Sequence, residues 1–89
     1  MNDNSVIKTY VWHKGVCFFV STIERDSSAP EGGRYNETMV WEYDWERAER
    51  SPLISWQDWA FKGSIATHQR VVEKLFDLGL KGLEELNLE

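Results

Sequence analysis

Cys17, His13 and His68 are the residues of this chain best suited to nucleophilic or metal chemistry. A thiolate nucleophile needs a base within hydrogen-bond reach. A hairpin closed by a two-residue Lys14-Gly15 turn would put His13 and Cys17 on opposite faces. His68 falls on the polar side of a predicted helix, where a histidine is ordinarily solvated. No catalytic cysteine is therefore expected, and Cys17 reads as a small buried apolar residue in a reduced chain. Two distant histidines without a cysteine pair have no metal-ligand spacing, so neither a metal nor a cofactor is expected. Glu31-Gly32-Gly33-Arg34 lacks both the spacing and the lysine of a phosphate-binding loop. Glu42 and Asp44 would stand about 7 Å apart on one face of a strand, near the separation used by two-carboxylate hydrolases. An open sheet face gives such a pair no water-excluding pocket, and no enzyme is expected.

Aromatic and acidic residues carry the remaining signal. The chain holds five tryptophans (Trp12, Trp41, Trp45, Trp56 and Trp59) beside three tyrosines and four phenylalanines. Trp41, Tyr43 and Trp45 alternate with Glu42, Asp44 and Glu46, so rings and carboxylates should face opposite sides of a strand. A cage for a trimethylammonium group from the three rings would thus lack its carboxylates. Tryptophan and tyrosine are enriched at interface hot spots, and a carboxylate patch steers basic partners. The partner-binding residues expected are Trp41, Tyr43, Trp45, Glu42, Asp44, Glu46, Trp56 and Trp59. A net charge of −5 opposes direct binding to nucleic-acid phosphates.

These residues need elements to position them, and 89 residues allow one small domain spanning 1–89. Val6–His13 and Val16–Glu24 are β-branched and aromatic runs, which predicts a hairpin. Lysine is unfavoured at the first position of a tight turn, so a three-residue loop with Gly15 left-handed is expected. Residues 25–34 hold the breakers of a long loop. Tyr35–Arg47 alternates cleanly and predicts a third, half-buried strand. Ser51-Pro52 reads as a turn. Residues 53–62, with Ile54, Trp56, Trp59 and Phe61, suit either a short helical turn at the Trp56–Trp59 spacing or a loop strapped across the sheet. Ser64 is the expected N-cap of one helix with Ile65, Val71, Val72, Leu75, Phe76 and Leu78 inward, and His68, Arg70, Glu73 and Asp77 on its wet side. Gly79 is its C-cap, and Leu80, Leu83 and Leu86 add a last turn weakened by Gly82.

The fold expected is α+β: a three-stranded antiparallel sheet in β-β-β-α order, with one C-terminal helix packed on one face. Residues 1–5 and 88–89 are expected outside it, the latter as a tag remnant. No signal peptide or membrane-length apolar run is seen, which predicts a cytoplasmic protein with no membrane partner. The Asn36-Glu37-Thr38 glycosylation pattern has no secretory context and reads as chance. The second strand is apolar on both faces, and one helix covers one of them. Either residues 53–62 or another protein, a second copy included, must cover the other. The expected function is a small acidic protein–protein interaction module, self-associating as a homodimer through an aromatic sheet face. Size and charge suit an accessory or inhibitor protein of a larger machine, its carboxylates mimicking nucleic acid. The alternative is a small-ligand-binding domain or minor enzyme with a pocket between Trp56–Phe61 and the sheet.

Overall fold

The computed structural model describes residues 5–26, 33–59 and 61–87. Four strands, β1 (Ser5–His13), β2 (Val16–Asp26), β3 (Arg34–Asp44) and β4 (Glu49–Asp58), precede two helices, α1 (Phe61–Leu78) and α2 (Leu80–Asn87). The strands form one antiparallel meander in the order β1-β2-β3-β4. The α+β class with C-terminal helical cover stands. The count is corrected to four strands and two helices. Ser5 belongs to β1, not to a tail, while residues 1–4, 88–89 and most of the 25–34 loop lie outside the described residues.

The β1–β2 turn is the two-residue one, since His13 pairs with Val16. Lys14 has φ 48° and Gly15 φ 82°. Two successive left-handed residues have the twist of the strands they join, which favours this turn despite a lysine in it. Side-chain parity follows from that pairing. Ile7, Thr9, Val11 and His13 share one face with Phe18, Val20 and Thr22. Tyr10 and Trp12 share the other with Cys17, Phe19 and Ile23.

The third strand stops three residues early, at Asp44 rather than Arg47. The Asp44 Oδ1 accepts the amides of Glu46 at 3.0 Å and Arg47 at 3.2 Å. Ala48, at φ 54°, completes the reversal. This aspartate-anchored turn has no glycine or proline to announce it. Pro52 lies inside β4, on an edge strand, where one missing amide is tolerated. The register shifts there: Val40 pairs with Ile54 and Trp41 with Pro52, leaving Leu53 as the extra residue of a bulge.

Helix α1 begins at Phe61, so Ser64 is not its N-cap but a fully buried residue within it. The inward stripe is Ser64, His68, Val71 and Leu75, at spacings of four, three and four, with Val72 half-buried and Phe76 exposed. Gly79 does cap the helix: it has φ 63°, and its amide donates to the Leu75 carbonyl at 2.9 Å. A Cβ there would stand 2.7 Å from the His13 ring. Gly82 permits α2 to close on α1, because a Cβ at that position would lie 2.4 Å from the Lys74 carbonyl oxygen. The core is Val11, Phe18, Val20, Val40, Val71, Leu75 and Leu83, with Ile54, Trp56 and Leu86 packed against it.

Candidate functional site

His68 is buried, against expectation, and sits between helix and sheet. One ring nitrogen, Nδ1, lies 2.9 Å from the Thr22 hydroxyl, and the other, Nε2, 2.8 Å from the Thr9 hydroxyl. Thr22 in turn bonds Thr38 at 2.7 Å. A neutral imidazole donates through one nitrogen and accepts through the other, which suits two hydroxyl partners. Burial holds its pKa below the ordinary 6.5. The chain of hydroxyls is satisfied and buried from His68 through Thr22 to Thr38, with Thr9 half-buried at its outer end, so its role is to position α1 on the sheet. The Nδ1 of His13 donates to the Phe76 carbonyl at 2.9 Å and ties the hairpin end to the helix end. From Thr9 to His13 is about 13 Å of strand and from His68 to Phe76 about 12 Å of helix, so α1 runs along β1.

The opposite sheet face carries the rings. Tyr10, Trp12, Phe19, Trp41 and Tyr43 project from three neighbouring strands, and Trp45 joins them from the β3–β4 turn. Tyr43 meets Trp45 edge-on at 4.7 Å, and Trp12 lies parallel to Trp45 at 6.1 Å. Tyr10 contacts Phe19 at 4.9 Å, and Phe19 stacks on Trp41 at 5.3 Å. The Arg50 guanidinium lies over Trp41 at 5.1 Å. Tyr10, Trp12 and Trp45 remain 50%, 52% and 53% exposed. Half of three rings of roughly 200 Å² each leaves about 300 Å² of aromatic surface open. Farther along the face Arg25 pairs with Glu37 at 2.7 Å, so the charged pair lies outside the ring cluster.

No described element covers this face. Residues 53–58, open between a helical turn and a strap over the sheet, are neither: they lie in strand β4 of the same sheet. The pocket expected between Trp56–Phe61 and the sheet loses its geometry for the same reason. Trp56 turns to the helix side and lines a groove of about 200 Å³ with Thr67, Arg70, Val71 and Leu86. Trp59 stands apart against Tyr35, at 5.3 Å. Of the eight residues expected to bind a partner, the structure gathers Trp41, Tyr43 and Trp45 and separates Trp56 and Trp59 from them. Glu42 and Asp44 point from the other side of β3, and Asp44 is engaged in its turn. At the strand end, however, Glu42, Asp44 and Glu46 come round to rim a depression of about 340 Å³ with Trp12, Tyr43 and Trp45. Tyr10, Trp12, Phe19 and Arg50 belong to the face in addition to the eight residues expected there. The two-residue register is the signal that places the first three.

His13 and Cys17 lie on opposite faces, and Cys17 is buried. Asn36 and Thr38 of the glycosylation pattern are buried within β3. Among the described residues no three His, Cys, Asp or Glu side chains gather as a metal site, and no helix is long and apolar enough to cross a membrane. Comparison of the chain with protein-family models, curated proteins and solved structures finds no match.

Proposed function

We propose that this protein is a non-enzymatic protein–protein interaction module that self-associates through its open aromatic face. One observation carries the reading: six rings lie together on a sheet face that no described element covers. Aromatic residues and arginine make up the middle of the face, with Glu42, Asp44 and Glu46 at its end, the composition of an interface centre and its polar rim. A twisted sheet face about 19 Å wide and 30 Å long has a footprint near 600 Å². That is close to the roughly 800 Å² per partner of a standard interface. A two-fold axis through the ring cluster brings Tyr10, Trp12 and Trp45 of each copy against rings of the other, the self-complementary arrangement of a homodimer.

Tryptophan quenching tests the reading. At nanomolar concentration iodide reaches Trp12 and Trp45, and quenching is strong. At micromolar concentration association buries both, and the quenching constant falls by half or more. A constant independent of protein concentration would refute self-association through this face. The rival ligand-binding reading predicts instead that a small molecule raises the melting temperature.

A further inference from the structure

The two edges of the sheet differ. Strand β4 carries Pro52, the Leu53 bulge and the charged pair Glu49 and Arg50, all devices that discourage strand addition. Strand β1 carries fewer: its register shifts once, at its start between Ser5 and Ile7, and from Ile7 to His13 it has no bulge, proline or glycine and one fixed charge, Lys8. In a two-residue hairpin the residues flanking the turn exchange both bonds, and bonding alternates from there. His13, Val11 and Thr9 therefore bond toward β2. Lys8, Tyr10 and Trp12 direct their amides and carbonyls outward.

Beside that edge runs a groove of about 490 Å³ between β1 and α1, lined by Thr9, Val11, Val72, Glu73, Phe76 and Asp77 among others. Phe76 is 67% exposed, far out for a phenylalanine in a helix that packs on the sheet. Val72 and Phe76, one helical turn apart, form an apolar shelf beyond the last strand. Glu73 and Asp77, one turn apart as well, add two carboxylates, and neither forms an ion pair with another described residue.

We infer that the free edge of β1 takes an extended segment of another protein as a fifth strand, one whose helix-facing residues, every second along the segment, include both apolar side chains and lysine or arginine. Its main chain bonds to Lys8, Tyr10 and Trp12, its inward apolar side chains rest on Val72 and Phe76, and its cations meet Glu73 and Asp77. Charge selects this occupant over a second copy. Pairing β1 with β1 about a two-fold axis puts both helices on one side and sets like carboxylates against each other. The inference goes beyond the self-association reading and stands without it, since it uses the outward main chain of β1, whereas the aromatic face uses the Tyr10 and Trp12 side chains.

The test is a titration of isotope-labelled protein with an acetylated, amidated octapeptide carrying valine and lysine in turn at its odd positions and threonine at its even ones. A second peptide carries glutamate in place of lysine. The basic peptide should slow amide exchange at Lys8, Tyr10 and Trp12 and leave the β4 amides unchanged. The acidic peptide should bind about tenfold more weakly, the effect of reversing two exposed charge pairs. Glu73→Lys with Asp77→Lys should reverse that preference. Lys8→Pro, which removes one outward amide and no bond to β2, should abolish binding, with unchanged Val20 and Leu75 resonances reporting an intact core. Unslowed exchange along β1, or equal binding of both peptides, would overturn the proposal. So would β1 protection that grows with protein concentration without peptide in the Trp45→Glu variant, whose aromatic face does not associate, because that assigns the edge to a second copy.

Discussion

Buried between Thr9 and Thr22, His68 makes helix docking depend on its protonation. Because burial lowers its folded pKa below 6.5, the folded protein prefers the neutral ring. The contribution is therefore complete above pH 6.5. It is lost as pH falls from 6.5 toward the folded value, and no further below that. Thermal midpoints measured from pH 7.5 to pH 5 should fall on the acidic side, and His68→Gln should flatten that limb. Parallel curves would contradict it. His68→Leu should destabilise at every pH by about 2–4 kcal/mol, because it strands buried threonine hydroxyls, checked by urea denaturation. The sequence holds the signal for this site in part. Ser64, His68, Val71 and Leu75 have helical spacing, and Thr22 and Thr38 occupy core-facing strand positions. None is apolar enough, apart from Val71 and Leu75, for hydrophobic periodicity to mark it as core. The network becomes visible only when helix and sheet are brought together.

At the scale of elements, the legible parts are those that local chemistry determines alone. The alternation Met39, Trp41, Tyr43 against Val40, Glu42, Asp44 marks β3, and Gly79 marks the end of α1. The β3–β4 turn was hidden because an aspartate side chain and a left-handed alanine do the work of glycine. Strand β4 was hidden because Pro52 and Leu53 interrupt its period at the bulge. Lys14 sits in a left-handed position that asparagine adopts more readily, so Lys14→Asn should stabilise the hairpin by up to about 1 kcal/mol. Calorimetry should then show a midpoint raised by a few degrees. Gly79→Ala should act oppositely, since it strains the cap and drives a methyl into the His13 ring. A loss of about 1–3 kcal/mol in chemical denaturation is expected.

At the scale of the molecule, the thin margin of an 89-residue chain meets an aromatic surface left in water. The four-stranded sheet has one face covered by α1 and α2, and no described element covers the other, where the rings cluster. Both faces of β2 are apolar in the sequence itself, Phe18 and Val20 on one and Cys17 and Phe19 on the other, which does not by itself say what covers the second side. Topology answers half of that question, because residues 53–58 are spent on extending the sheet. A charge placed in the ring cluster should then separate association from folding: Trp45→Glu changes an exposed turn residue and touches no core side chain. Its melting temperature at low concentration should stay within a few degrees of the parent. Sedimentation equilibrium at micromolar concentration tests the central claim most directly. The unaltered protein should sediment with twice the 10.4 kDa chain mass and Trp45→Glu with the chain mass itself. A single 10.4 kDa species for the unaltered protein across that range would contradict the account.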